Sequence, residues 1–187
     1  IDIHFSVDST NELALQTIGS SSAPPTGKVA AIFAEKQSAG RGRRGRNWHS
    51  PLGHNLYCSM IRQFSGGVSA ISGLSLAVGV AVIRALEALG YEGLSLKWPN
   101  DILWQGRKLC GILLEISGDV DDGFYVVIGI GINLTSSQLV SVEIDQPWVD
   151  LLTISGGRKV DKNLVAAAVL KEQIRMLNEF QVSGFTH

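Results

Sequence analysis

The chain has 187 residues, 45% of them hydrophobic, and a formal net charge of -1 from 16 Lys and Arg against 17 Asp and Glu. That length and apolar content support one domain, residues 1–187, that buries roughly 70% of its unfolded surface, and they exclude disorder as the main state. The near-zero charge argues against a coat for nucleic acid or an anionic membrane, and two cysteines without zinc-type spacing, Cys58 and Cys110, exclude a disulfide framework. No apolar run reaches the ~18 residues of a membrane helix, and no signal layout opens the chain, so a cytoplasmic protein is expected. The first residue is Ile1 and the last, His187, follows directly on a helical pattern, so either end reads as a cut edge.

Ser9-Thr10-Asn11-Glu12 reads as a helix start, with a hydroxyl cap and Glu three residues later, and Gly19 as its stop. Residues 20–27 form a polar loop around Pro24-Pro25. Residues 29–35 are short, apolar and flanked by breakers, which predicts a buried strand. Residues 37–48 are too rich in glycine and charge for a regular element, and a second strand follows at about 55–62. Residues 69–89 predict one long buried helix stopped by Gly90. Leu94, Leu96 and Trp98 alternate with Ser95 and Lys97, predicting a strand ended by Pro99-Asn100-Asp101. Residues 102–104 and 108–116 flank Gln105-Gly106-Arg107, a hairpin signal. Residues 124–130 predict a strand leading into Gly131-Ile132-Asn133, and 161–180 a closing helix capped by Asp161. Hairpin-linked strands between helices predict an α+β fold: a mixed, largely antiparallel central sheet flanked by helices.

Gly40-Arg41-Gly42-Arg43-Arg44-Gly45 has the letters of a dinucleotide fingerprint but not its context. It runs into Asn47-Trp48-His49-Ser50-Pro51, which cannot open a regular helix, and no acid falls about 20 residues on. What remains is four guanidinium groups, Arg41, Arg43, Arg44 and Arg46, on a flexible backbone. Guanidinium forks pair with phosphate, so a compact phosphate site competes with a solvated loop and with a nucleic-acid-binding module. Four like charges on this backbone predict a mobile loop that orders when its ligand binds. Lys97 and Asp101 flank a strand exit and read either as site residues or as a surface ion pair. Lys108 opens a mostly apolar strand, either turned into a cleft or protecting an edge. Gly129 and Gly131 inside a strand signal close approach of a ligand or another chain segment, or else a bulge. His4, His49, His54 and His187 have no metal spacing, and the metal ligands stay unassigned.

Ser9-Thr10-Asn11, the 37–48 loop, Lys97-Trp98-Pro99-Asn100-Asp101, the 106–111 segment and Gly129 to Asn133 stand together in the order and spacing of the biotin–protein ligases. From about Phe5 to Phe180 the chain resembles the catalytic domain of that family, which implies a fold like that of class II aminoacyl-tRNA synthetases. The resemblance implies a ligase that uses ATP and Mg²⁺ to convert biotin to biotinyl-5′-AMP, then passes biotin to a lysine of a biotin carboxyl carrier domain. It implies Ser9, Thr10, Asn11, Gln37, Arg41, Gly42, Arg43, Lys108 and Gly111 around biotin, with Gly111 letting the ligand lie against its strand. Around ATP and the adenylate it implies Arg41, Arg43, Arg46, Trp48, Lys97, Asn100, Asp101, Lys108 and Asn133, with Lys108 and Arg43 acting in the reaction. It allows a homodimer. Neither the N-terminal helix-turn-helix domain nor the small C-terminal β-barrel of larger members is expected in this chain, so DNA binding is not supported. The nearest alternative is a lipoate ligase or an octanoyltransferase, in which Cys110, two residues beyond Lys108, would be the nucleophile; an inert core thiol competes with that reading.

Overall fold

The computed structural model describes residues 1–20, 22–118, 123–135 and 146–185. Their backbone is organised by one seven-stranded sheet. In chain order the strands are β1 (Asp2–Val7), β2 (Val29–Gln37), β3 (Asn55–Phe64), β4 (Leu94–Lys97), β5 (Asp101–Trp104), β6 (Arg107–Ser117) and β7 (Phe124–Asn133). The helices are α1 (Thr10–Ile18), α2 (Leu74–Glu87), the single turn α3 (Leu151–Ile154) and α4 (Lys162–Ser183). The spatial order is β1-β2-β3-β7-β6-β5-β4, with β1 parallel to β2 and every other pairing antiparallel. The mixed, largely antiparallel α+β fold expected from the sequence is the fold observed.

Strand alternation assigns the two faces of this sheet different work. On β7, Phe124, Val126, Ile128, Ile130 and Ile132 enter the main core, which α2 and α4 cover. The intervening residues, Val127, Gly129, Gly131 and Asn133, look the other way, towards α1. There a small cluster of Ala14, Ile32, Ile61 and Val127 seats α1 on the sheet and leaves the glycines beyond it uncovered by side chains of their own. Burial thus holds one face, and the other is free to carry a site.

The helix ends follow the sequence, with one change. Ser9 Oγ caps α1 by accepting from the N–H of Glu12 at 3.5 Å, but the Glu12 carboxylate turns away to Arg41. Asp161 caps α4 by accepting from the N–H groups of Asn163 and Leu164 at 2.9 and 3.1 Å.

The expected helix over 69–89 is in fact two pieces. A 3-10 turn, Val68–Ile71, precedes α2, and Gly73 between them has φ 78°, a left-handed conformation that breaks the run. By length and composition Val68–Glu87 is apolar enough to cross a membrane, contrary to the sequence reading. In this fold, however, Leu74, Val78, Val82 and Leu86 of α2 are buried in the core against the sheet and α4. The strand expected to include Trp98 stops at Lys97, and Trp98 is 78% exposed. The hairpin is as anticipated: Gln105 and Gly106 both have positive φ, the conformation of a two-residue turn matched to strand twist.

Candidate active site

One irregularity in the sheet creates the cationic end of the site. In the β5–β6 ladder Ile102 pairs with Cys110 but Leu103 pairs with Lys108, so Leu109 is the extra residue of a bulge. The slip puts Leu109 and Cys110 into the core in succession and turns Lys108 onto the same face as Gly111. Lys108 is only 9% exposed. Its Nζ lies 2.9 Å from Asp101 Oδ1, in an ion pair that is not aligned as a hydrogen bond, and 5.5 Å from the centre of the Trp48 ring.

The floor is made of glycine because other side chains lie where a Cβ would stand. A Cβ on Gly129 would come within 2.3 Å of Asn11 Oδ1, one on Gly131 within 2.6 Å of the Trp48 ring, and one on Gly111 within 2.8 Å of it. Gly129 and Gly131 sit in unbroken register with β3 and β6, so close approach, not a bulge, accounts for them. Gly111 makes room for Trp48 and Lys108 rather than directly for a ligand. Gly129→Ala is expected to displace Asn11 and weaken binding at the neutral end at least tenfold, with the melting temperature held within a few degrees. Calorimetric titration with biotin, the ligand that the sequence resemblance implies, beside a thermal melt checks this.

The neutral end is a buried wall of hydrogen bonds. Ser9, Thr10 and Asn11, at the start of α1, are all buried. The Thr10 N–H donates to Gln37 Oε1 at 2.8 Å, and Gln37 Nε2 donates to Ser50 Oγ at 3.0 Å. Ser59, fully buried on β3, lies 2.8 Å from Thr10 Oγ1 and 2.6 Å from Asn11 Oδ1. Asn11 Nδ2 donates to Glu115 Oε2 at 2.8 Å. Ser59 and Glu115 were absent from the sequence reading. A lone serine among the apolar residues of β3 was the available signal for Ser59; nothing local marked Glu115.

The arginine loop folds back over this cavity instead of projecting. Arg41 pairs with Glu12 and Glu115, Gly42 N–H donates to Arg46 O at 2.7 Å, and Trp48 N–H donates to Gly40 O at 2.9 Å. Arg43 Nη1 donates to Asn100 Oδ1 at 3.3 Å, and Asn100 is stitched to β6 because its Nδ2 donates to Ile112 O and its backbone carbonyl accepts from the Ile112 N–H. Arg41, Arg43, Arg46 and Trp48 therefore line the same cavity as Thr10, Gln37, Lys108 and Gly111. Like-charge repulsion does not dominate this loop, because two carboxylates answer Arg41.

A second cavity adjoins the first, with Trp48 and Lys108 common to both. His49, Asn55, Asn133 and Trp148 are among its other walls; Trp148, missed in the sequence, arrives through a bridge to Lys108. Asn133 belongs to this second wall, and its Nδ2 donates to Lys108 O and Val149 O at 3.3 and 3.1 Å, so it also ties the backbone behind Lys108. Trp48 Nε1 is buried without a hydrogen-bond partner. Lys97 lines neither cavity; it is exposed, stands opposite Asp101 in the β4–β5 ladder, and lines an adjoining depression with Asp101, Asn100, Arg43 and Arg46.

Cys110 lies in the core, on the side of the sheet away from the cavities, and burial pushes its thiol pKa far up; Cys58 is likewise buried and pushed up to about 12. A thiol held protonated in the core does not act as a nucleophile. His187 lies outside the described residues, and among the described residues no group of three or more His, Cys, Asp or Glu gathers to hold a metal ion.

The arrangement defines a small-molecule site with one neutral end and one cationic end, beside a second, tryptophan-lined chamber. The chain belongs to the biotin/lipoate A/B protein ligase family, which it matches over residues 4–133. It is 40% identical over 178 residues to the bifunctional ligase/repressor BirA of Escherichia coli, an alignment that takes in 95% of this chain and 53% of that protein. It is 42% identical over 132 residues to the biotin–[acetyl-CoA-carboxylase] ligase of Paracoccus denitrificans, covering 70% of this chain and 52% of the relative. The chain thus spans about half the length of these relatives. Among solved structures, the biotin protein ligase of Aquifex aeolicus in complex with biotin and ATP superposes with a TM-score of 0.79 at 32% identity, over 98% of this chain and 72% of that one.

Proposed function

We propose that the protein is an ATP-dependent biotin–protein ligase that forms biotinyl-5′-AMP and transfers the biotinyl group to a lysine of a biotin carboxyl carrier domain. One observation carries this reading: two adjoining cavities meet at Lys108, one ending in neutral hydrogen-bonding groups and the other walled by tryptophan. A cyclic urea needs donors and acceptors without net charge, which Ser9, Thr10, Asn11 and Gln37 supply. An apolar lipoyl or octanoyl head would leave the remaining donors and lone pairs of those groups unmet, so the same wall disfavours the lipoate alternative.

Biotin's carboxylate then lies towards Lys108, and the nucleotide fills the second cavity, where an acceptor on the base satisfies Trp48 Nε1. A carboxylate oxygen attacks the α-phosphorus, and the bond to pyrophosphate breaks. Negative charge accumulates on the α-phosphate oxygens in that transition state, beside the Lys108 ammonium. Asp101 holds Lys108 in place, and the backbone behind it is fixed by Asn133. The carrier lysine's amine subsequently attacks the acyl carbon, forming the amide and releasing AMP. The residues fit Mg²⁺ brought in by ATP rather than a protein cage: Asp101 is the carboxylate at hand, the phosphates supply the other oxygens, and the ion's chemistry is to neutralise phosphate charge. Two buried, unpaired cysteines agree with a reducing compartment, the cytoplasm.

The test mixes the chain, ATP, Mg²⁺ and biotin with a carrier domain, and separately with the same domain whose target lysine is arginine. Streptavidin should detect label on the first and none on the second. Label on neither, from this chain and from a longer polypeptide containing it, refutes the transfer.

A further inference from the structure

We propose that Glu115 is a positioning residue that sets the direction of the hydrogen bonds lining the neutral end of the cavity and joins that wall to the arginine loop; this rests on the biotin reading above. Glu115 lies on β6, four residues beyond Gly111, with its side chain 20% exposed. One of its oxygens accepts from Asn11 Nδ2 at 2.8 Å, and the other accepts from Arg41, whose second terminal nitrogen is on Glu12. Asn11 and Arg41 therefore meet through one carboxylate.

The direction follows from what each group is able to do. An ionised carboxylate accepts and never donates, so Asn11 must turn its Nδ2 towards Glu115; Leu113 O, at 3.4 Å, takes the remaining hydrogen of that amide. Asn11 Oδ1 then faces Ser59, and because it only accepts, it claims the single hydroxyl hydrogen of Ser59 at 2.6 Å. Ser59 Oγ is left to accept, and the Thr10 hydroxyl lies 2.8 Å away. Thr10 Oγ1 also reaches Gln37 Oε1 at 3.2 Å, and with either partner its hydrogen is used inside the wall. Thr10 and Asn11 consequently offer only lone pairs to the cavity. Gln37 is fixed the other way round: its Oε1 accepts from the Thr10 N–H, which can only donate, so its Nε2 faces Ser50 and keeps one hydrogen spare. Ser9 Oγ accepts from the Glu12 N–H and keeps its own hydrogen, so the neutral end presents two acceptors, on Thr10 and Asn11, and two donors, on Ser9 and Gln37, which suit the two N–H groups of a cyclic urea and the two lone pairs of its carbonyl oxygen. Without a pure acceptor at Glu115, Asn11 is free to flip, and each member after it is free to reverse.

Glu115→Gln keeps the shape but offers both an acceptor and a donor. It is expected to raise the KM for biotin at least tenfold while kcat at saturating biotin changes less than threefold, the pattern of lost uniform binding. The melting temperature should stay within a few degrees. The coupling predicts more: in otherwise wild-type protein, Arg41→Gln and Asn11→Ser should be non-additive in biotin affinity, and in the Glu115→Gln background they should add. A ligand-free arm stands apart from the biotin reading. Trypsin cleavage after Arg43 or Arg44, with neither biotin nor ATP present, should run several-fold faster in both Glu115→Gln and Arg41→Gln than in wild type, and Arg41→Gln serves alone if the first variant fails to fold. Unchanged cleavage overturns the tie to the loop, and unchanged biotin KM in folded Glu115→Gln overturns the control of direction. Failure of the wild-type protein to bind biotin refutes the ligand reading instead, and the cleavage arm still decides the role of Glu115.

Discussion

Replacing Lys108 with alanine is expected to slow biotinyl-AMP formation by about 10²-fold or more while biotin affinity moves only a few-fold. The size of the effect comes from preorganisation. The bulge at Leu109 turns Lys108 onto the cavity face, Asp101 holds its ammonium at 2.9 Å, and Trp48 covers its flank. The charge is thus in place before the α-phosphate becomes more negative, and little reorganisation is needed during the reaction. Removing it also strands a largely buried carboxylate, at a cost of about 1–3 kcal/mol of stability. Pairing Lys108→Ala with Asp101→Asn separates the two effects: stability returns towards wild type and the rate does not. Single-turnover adenylate formation, read beside thermal melts, checks this. Equal losses in rate and biotin affinity would assign Lys108 to ground-state binding.

Arg43→Gly is expected to release the intermediate rather than prevent its formation. Arg43 is half-buried over the cavity, with one guanidinium nitrogen 3.3 Å from Asn100 Oδ1 and the rest of the fork open to phosphate oxygens. Its loss removes charge-assisted bonds worth roughly 1.5–3 kcal/mol each, whereas Lys108 still faces the reacting centre. Biotinyl-AMP is an acyl phosphate anhydride, so adenylate that escapes acylates any accessible amine. Incubated with albumin, biotin and ATP, the variant should label albumin at least tenfold more strongly than wild type on a streptavidin blot. Labelling no stronger than wild type, with adenylate synthesis still measurable, would remove Arg43 from the role of gate.

Much of this site can be read from short motifs because its parts are local: an arginine-glycine loop, a lysine three residues before Gly111, and glycines at alternate positions of one strand. The glycines at 129 and 131 signalled close approach, and the groups that approach them are Asn11 and Trp48. What stayed hidden depends on distant pairing. Glu115 meets Asn11 across 104 positions and Arg41 across 74, and no spacing rule connects them. Ser59 acquires its place only when β3 lies beside β7. The bulge at Leu109 reverses the expected alternation just where it decides which way Lys108 points, and periodicity alone cannot register one extra residue. Apolar composition likewise ran residues 69–89 into a single helix, because it carries no record of the positive φ at Gly73. Lys97 lies at the margin of the site: it stands opposite Asp101 in the β4–β5 ladder and shares its face of the sheet, but it is exposed and lines the adjoining depression rather than either cavity.

The most direct measurement is mass spectrometry of the protein after incubation with biotin, ATP and Mg²⁺ and without any carrier. The two-cavity geometry predicts a retained biotinyl-5′-AMP in roughly equimolar amount, with one pyrophosphate released for each, and no adenylate when lipoate or octanoate replaces biotin. Adenylate from lipoate or octanoate in preference to biotin, or none from biotin by this chain and by a longer polypeptide containing it, would contradict the assignment.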